Sequence, residues 1–272
     1  MFSSTAAAAR CPGALYRDVL ASCAPVSGVW EEAEVPTETL GVFRARDQDH
    51  AIHAFRLSRD VRSAPEPIRI GLFAGLHGDE PAGCAALLRL LVELSRDPLA
   101  VDGYELTVCP VCNPVGVKAG TRENASGKDL NREFWRASTE PEVVILEKEL
   151  RLRQFHGLIT LHADDTSEGC YGYAHGRTLN EALLLPALHA ADQVIPRNHG
   201  SVIDGFRAER GVIRECFTGV LSAPPEQAPR PFDLIFETPA LAPIELQVDA
   251  AVAALHTILG EYRRLVSHAE FF

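Results

Sequence analysis

No apolar run in this chain approaches the roughly 18 uninterrupted residues that a bilayer-spanning helix needs, so a membrane association is not expected. Basic clusters are missing too. Lys and Arg number 26 against 37 Asp and Glu, a formal net charge of −11, and no stretch is basic enough to suggest a nucleic-acid partner. Residues 1–10 lack the basic start and apolar stretch of a secretory signal, which makes cytoplasmic residence the expectation. Cysteine is odd in number, seven in all, at positions 11, 23, 84, 109, 112, 170 and 216, and predicts reduced, packed thiols rather than a disulfide framework. Cys109-Pro-Val-Cys112 has the spacing of a redox motif. It continues the strand-like run Tyr104–Val108, however, so packing is the expected role. A Gly-x-Ser-x-Gly elbow is absent, which argues against a serine hydrolase, and no repeat or low-complexity tract occurs.

What remains is 272 residues with 46% hydrophobic content, enough for one globular domain spanning 1–272. A short helix is predicted at Cys11–Cys23, then strand-like runs at Gly41–Arg46, Ala51–Leu57 and Ile68–Ala74. Pro81–Leu94 reads as a helix with proline in its first turn, where the missing amide hydrogen costs nothing. The pattern recurs as a strand at Glu105–Val111, a polar loop at 113–133, a helix near Glu140–Gln154 and a strand running to His162. Leu179–Ala191 looks helical, Val212–Phe217 and Asp233–Glu237 look like strands, and Pro243–Val266 forms a terminal helix. Residues 218–231 carry four prolines and predict a loop, either a lid or a surface crossing. Such alternation implies an α/β fold: one domain with a mixed, mostly parallel twisted sheet flanked by helices.

Parallel sheets gather ligand sites beyond the carboxyl ends of their strands. Three runs end in chemistry-bearing residues: one in His77-Gly-Asp-Glu80, one in His162, one in Glu237. His77 and Glu80 span a strand-to-helix turn at a spacing that lets imidazole and carboxylate share one ion. His162 would complete a two-histidine, one-carboxylate set with an open position, the donor pattern of hydrolytic zinc. The competing reading makes His77–Glu80 a plain helix start, with Asp79 as its cap. The eight other histidines, at 50, 53, 156, 175, 189, 199, 256 and 268, carry no such pattern.

Between these ligand candidates lies Asn113-Pro114, followed by Thr121-Arg122-Glu-Asn124-Ala-Ser-Gly127-Lys-Asp129-Leu-Asn131-Arg132-Glu-Phe134. With His77-x-x-Glu80 before it, and His162 and Glu237 after it, this order resembles the zinc metallocarboxypeptidase family and its relatives, the aspartoacylases and succinylglutamate desuccinylases. The resemblance covers residues 68–240. It implies a zinc carboxypeptidase-like fold and one zinc ion per chain on His77, Glu80 and His162. It further implies Arg122 as the oxyanion donor, Asn131 and Arg132 as the grip on a substrate carboxylate, and Glu237 as the general base. Glu237 would take a proton from water activated by zinc and pass it to the leaving amine.

One departure stands out, because no tyrosine lies between Tyr173 and Tyr262, although carboxypeptidases place one shortly before the catalytic glutamate. Tyr171 or Tyr173 could stand in for it. The implied substrate is a small peptide, cleaved as by a carboxypeptidase, or an N-acyl amino acid, cleaved as by an amidohydrolase. The Arg122–Arg132 stretch looks closer to the peptidase branch, as does a chain ending soon after its terminal helix. A catalytically silent zinc-containing binding protein is the reading from another class, and the presence of Glu237 argues against it. Asp204, Arg207 and Arg214 lie where specificity residues fall, without a ranking among them.

Overall fold

Alternating residues at Thr37–Ala45 (β1) and Gln48–Ser58 (β2) pair as an antiparallel hairpin. The reversal is made by Arg46 and Asp47, both in the left-handed region at φ 47° and 60°, as a two-residue hairpin turn demands. The computed structural model describes residues 35–58, 66–97 and 99–269, so the helix predicted at Cys11–Cys23 lies outside the described residues. Along the chain follow Ile68–Phe73 (β3), Pro81–Arg96 (α1), Tyr104–Cys109 (β4), Pro114–Ala119 (α2), Pro141–Arg153 (α3), Gly157–Asp164 (β5) and Tyr171–Ala174 (β6). A helical turn at Arg177–Leu179 and a π-turn at Asn180–Leu184 lead into Leu185–Ala191 (α4). Val202–Ile203 (β7), Phe206–Glu209 (β8), Val212–Ile213 (β9), Phe232–Pro239 (β10) and Ile244–Ala269 (α5) complete the order.

The strands form one ten-stranded sheet in the order β1-β2-β4-β3-β5-β10-β6-β9-β8-β7. Its centre, β4-β3-β5-β10, is parallel. Beyond the centre, β1, β2, β4 and β10, β6 pair antiparallel, as do β7, β8 and β9. The sheet is therefore mixed, with parallel pairing concentrated where the crossover helices lie. Leu161 and Ile159 of β5 and Leu234 and Phe236 of β10 point into a core with α1, α4 and α5. Leu158, between them in the alternation, faces the opposite way, into a second core with Val143, Leu146 and Leu150 of α3. The Tyr104 hydroxyl donates to the Leu259 carbonyl at 2.6 Å and pins α5 across the first core.

Several boundaries differ from those predicted. β3 stops at Phe73, and His77 sits in the turn leading to α1 rather than on the strand. β5 and β10 run on past His162 and Glu237, so both residues stand within their strands near the carboxyl end. The loop predicted at 113–133 contains α2. Asn113 caps it, its Oδ1 accepting from Gly116 N at 2.8 Å, and Pro114 opens it. β6, β7 and β8 were not predicted, and Val212–Phe217 shortens to Val212–Ile213. Cys84, Cys109, Cys112 and Cys170 are buried free thiols. Burial pushes Cys112 up to about 12, so the Cys109–Cys112 pair is suited to packing rather than redox exchange.

Candidate metal centre and catalytic cleft

The turn between β3 and α1 is shaped by one glycine contact and one asparagine tie. A Cβ on Gly78 would fall 1.9 Å from the Gly116 carbonyl carbon, so only glycine lets the turn press against α2. Asn113 ties the same two segments from beneath, its Nδ2 donating to the Leu76 carbonyl at 3.2 Å. This lock delivers His77 and Glu80 to the end of the sheet. Glu80, not Asp79, occupies the cap position of α1 and makes no side-chain cap bond, so the plain helix-start reading with Asp79 as its cap fails.

Glu80 faces the two histidines instead. Its Oε1 lies 2.6 Å from His77 Nδ1 and its Oε2 lies 2.9 Å from His162 Nδ1. The Ala163 amide also donates to Oε2, at 3.1 Å. All three side chains are buried, and one donor atom from each lies within 4.8 Å of the other two. Two imidazole nitrogens and one carboxylate oxygen converging in this way fit a borderline-soft divalent cation such as zinc. Burial works against the Glu80 charge, yet His162 and His77 hold its carboxyl well below the usual range. Burial likewise lowers His162 and favours the neutral imidazole that a metal ligand requires.

Asp129, which sequence reasoning left without a role, orients this set. Its Oδ1 accepts from His77 Nε2 at 2.9 Å, which commits that nitrogen and leaves Nδ1 for the shared centre. Its Oδ2 accepts from Arg122 Nε at 3.2 Å and Nη2 at 2.9 Å. Arg122 Nη1 is thereby directed at the centre, 3.3 Å from His77 Nδ1 and 3.5 Å from Glu80 Oε1. Although burial opposes it, the pull of His77 and Arg122 keeps the Asp129 carboxyl below the ordinary aspartate range. The signal was available in the sequence: Asp129 stands two residues before Asn131, in the motif that carried the family resemblance.

Asn131 and Arg132 follow on a single 3-10 turn. Asn131 Oδ1 accepts from the Leu221 amide at 2.9 Å, and its Nδ2 lies 3.4 Å from His162 Nε2. Arg132 donates from Nη1 to the Asn131 carbonyl at 2.8 Å and stacks 4.1 Å above the Phe217 ring. Opposite them stands Glu237, placed by register: it pairs with His162 on β5 and with Tyr171 on β6. Burial first, then the charges of Glu80, Asp164 and Asp204, push the Glu237 carboxyl well above its ordinary value.

These residues line one cleft of about 470 Å³. Its far wall is the segment 216–222, which is bound to the chain rather than free. Phe134 N donates to the Gly219 carbonyl at 3.1 Å, and Trp135 Nε1 to the Ser222 carbonyl at 3.1 Å. Of the two expectations for 218–231, the first residues form this fixed wall rather than a lid, while residues 225–230 cross the surface, largely exposed. Phe217 occupies the neighbourhood of the missing tyrosine and offers a ring without a hydroxyl. Tyr171 reaches the cleft too, but its hydroxyl donates to Asp164 Oδ2 at 2.9 Å, and the Tyr173 hydroxyl lies 3.4 Å from His175 Nδ1. No helix among the described residues is long and apolar enough to cross a membrane.

Comparison with known proteins agrees with this geometry. Residues 67–169 match the family model described as the succinylglutamate desuccinylase/aspartoacylase catalytic domain. Over 66 residues the chain is 42% identical to carboxypeptidase SOL1 of Arabidopsis thaliana, and over 116 residues 30% identical to carboxypeptidase D of Mus musculus. Those matches cover 22% and 36% of this chain but only 13% and 8% of the two relatives. Among solved structures, the metallo-carboxypeptidase from Burkholderia cenocepacia superposes with a TM-score of 0.66 at 17% identity, covering 91% of this chain and 68% of that one. Bovine thrombin-activatable fibrinolysis inhibitor gives a TM-score of 0.61 at 16% identity, covering 93% and 96%. The fold is the α/β fold of these carboxypeptidase structures, a mixed sheet flanked by helices. Over residues 67–169 the chain is similar to the succinylglutamate desuccinylase/aspartoacylase catalytic domain, and over shorter stretches to carboxypeptidases.

Proposed function

We propose that the chain is a zinc-dependent hydrolase that removes the terminal residue of a peptide by cutting the amide bond next to its carboxylate. The observation that carries this reading is the convergence of His77, Glu80 and His162 beside a separate acid, Glu237, on the adjoining strand. Zinc bound by those three side chains would supply Lewis-acid polarisation of the amide carbonyl and of water. Glu237 takes the proton of the attacking water and passes it to the leaving amine nitrogen. Arg122 Nη1, held in place through Asp129, donates to the carbonyl oxygen as negative charge grows there. Arg132 and Asn131 hold the terminal carboxylate. Arg132 is steadied by Phe217, and the hydrogen bond from the Leu221 amide fixes the Asn131 amide plane.

A second reading is favoured by the family-model match over 67–169: hydrolysis of N-acyl amino acids. The peptidase reading is preferred because the cleft of about 470 Å³ adjoins a second cavity of about 400 Å³, more room than a short acyl group fills. Likeness to the carboxypeptidases of plant and mouse supports the same choice. Metal analysis of the purified protein, with release assays on peptides and on N-acetylaspartate and N-succinylglutamate before and after chelation, tests both. Release from peptides that stops on chelation and returns with zinc is the expected result. Turnover of the acyl amino acids alone would install the second reading, and activity indifferent to chelation would overturn both.

A further inference from the structure

Two carboxylates of the cleft, Asp164 and Asp204, have no part in the chemistry proposed above. Asp164 is placed by register, two residues beyond His162 on β5 and beside Pro239, as His162 stands beside Glu237. Alternation keeps it on the face of His162, about 7 Å further towards the carboxyl end of the strand. There exposed Asp165 and Thr166 form the mouth of the cleft. Three donors hold Asp164: Thr166 N and Oγ1, each 2.7 Å from Oδ1, and the Tyr171 hydroxyl, 2.9 Å from Oδ2. None of them is a cation. Asp204 arrives from another part of the chain, at the tip of the β7–β8 hairpin. With Gly205 it joins the paired residues Ile203 and Phe206, both turn residues at positive φ, 50° and 79°, as a two-residue hairpin turn requires. Ile203 packs with Tyr171 and Ile213, and Phe206 packs against that cluster, so the hairpin is fastened to β6 and its tip reaches the cleft. Of Asp204, Arg207 and Arg214, only Asp204 lines it. Among the described residues Asp204 has no hydrogen bond and no ion pair.

From this geometry we infer that Asp204, with Asp164 beside it, is a specificity-determining residue that holds the free α-ammonium of a di- or tripeptide. The inference rests on the peptidase reading above. A peptide with its terminal carboxylate on Arg132 and its scissile carbonyl at the buried His77–Glu80–His162 set directs its amino end towards the mouth. The amino nitrogen then lies about 2.5 Å from the scissile carbon in a dipeptide and about 6 Å from it in a tripeptide. Both distances fall between His162 and the mouth, the stretch that Asp164 and Asp204 flank. An ammonium placed there meets two carboxylates that no ion pair among the described residues reaches. Partial burial, then the charge of Asp164, pushes the Asp204 carboxyl above its ordinary range against the pull of Arg132 and Arg122, the mark of a carboxylate short of a cation. A longer or blocked peptide puts a neutral amide in the same place and gains nothing from the charge. An N-acyl amino acid brings no cation, and a succinyl group brings a further carboxylate that both aspartates repel.

The test compares alanyl-phenylalanine with propionyl-phenylalanine, which differs only in carrying hydrogen where the dipeptide carries its ammonium. Calorimetry on the zinc-loaded full chain bearing Glu237→Gln, which keeps the peptide whole, reads binding, and release of phenylalanine by the wild type is followed in parallel. Alanyl-phenylalanine should bind at least about fivefold tighter, as a charge-assisted hydrogen bond at a partly exposed carboxylate allows. Adding Asp204→Asn should bring the two ligands within about twofold of each other. Asn and Gly both accept the positive φ of this turn, so Asp204→Gly keeps the hairpin as well and should give the same loss. Equal or tighter binding of propionyl-phenylalanine, or a preference that survives both D204N and D204G, overturns the inference. Preferred binding of alanyl-phenylalanine with no release from any peptide would count against the peptidase reading alone, and release from peptides without the preference against the ammonium site alone.

Discussion

Asp129→Asn separates the orienting role of Asp129 from mere bulk. The carboxylate serves two partners at once, accepting from His77 Nε2 through Oδ1 and from Arg122 Nε and Nη2 through Oδ2. An asparagine side chain has the same shape but only one oxygen. If that oxygen faces His77, the amide nitrogen opposes the Arg122 guanidinium, donor against donor. If it faces Arg122, the amide donates towards His77 Nε2 and drives the proton to Nδ1, the nitrogen needed at the centre. Either way one partner is lost. Replacing an outer-shell carboxylate of a metal-bound histidine typically costs about 10- to 100-fold in metal affinity, or roughly 1.4 to 2.7 kcal/mol. Titration of zinc against a competing chromophoric chelator reads this directly, and far-ultraviolet circular dichroism checks that the fold is kept. Zinc affinity within about twofold of wild type, with the fold intact, would refute the orienting role assigned to Asp129.

Arg122→Ala should lower turnover by about 10² to 10³ while leaving one zinc bound per chain; loss of zinc in that variant would mean that its role is structural. Glu237→Gln should cut turnover by about 10² to 10⁴ at unchanged zinc stoichiometry, and near-normal hydrolysis would remove Glu237 as the proton carrier. Gly78→Ala should weaken zinc binding and lower the Tm, since its Cβ would meet the Gly116 backbone; wild-type values for both would show that the turn is not locked as described. Glu142 is fully buried with Oε1 unpartnered, and burial, then the charge of Glu140, raises its carboxyl above the unfolded value of 4.5. The folded state thus binds that proton more tightly, so the Glu142 contribution is most favourable below about pH 4.5 and is lost as pH rises through the folded value. Glu142→Gln should raise the Tm at pH 7 by about 2–4 °C, roughly 1 kcal/mol for a domain of this size, with the gain vanishing below about pH 4.5. A lower Tm at pH 7 would contradict it.

The candidate ligands were legible because each sits where a hydrophobic run gives way to polar residues, a local signal that survives inexact boundaries. His77 proved to lie four residues past its strand, and His162 and Glu237 two residues short of the ends of theirs, yet all three reach one cleft. What did not show is what depends on contacts between distant segments. β6, β7 and β8 are short strands whose pairing is set by β10 and by one another, and neither their length nor their composition marks them. Segment 218–231 looked like a loop by its prolines, but the position of its first residues as a wall follows from Leu221 on Asn131 and Ser222 on Trp135, separations of 90 and 87 residues. Asp129 carried a motif signal without a job, because its job is to join two residues, His77 and Arg122, that only folding brings together.

The division of labour among the site acids follows from surroundings rather than residue type. Glu80, Asp129 and Glu237 all stand near the two histidines and the Arg122 guanidinium. Asp129 meets that guanidinium and an imidazole directly and is driven low, which fixes it as a permanent negative charge suited to holding neighbours. Glu237 faces Glu80, Asp164 and Asp204 from its strand position and is driven high, which makes it the one of the three acids that holds a proton most readily. A divalent cation among His77, Glu80 and His162 would offset part of that negative surplus and bring Glu237 back towards the ionised form that a base requires. Acids pushed in opposite directions within one cleft are what a hydrolytic site needs, one to orient and one to carry the proton. Glu80, ionised and buried between the imidazoles, is the acid placed to serve as the proposed ligand.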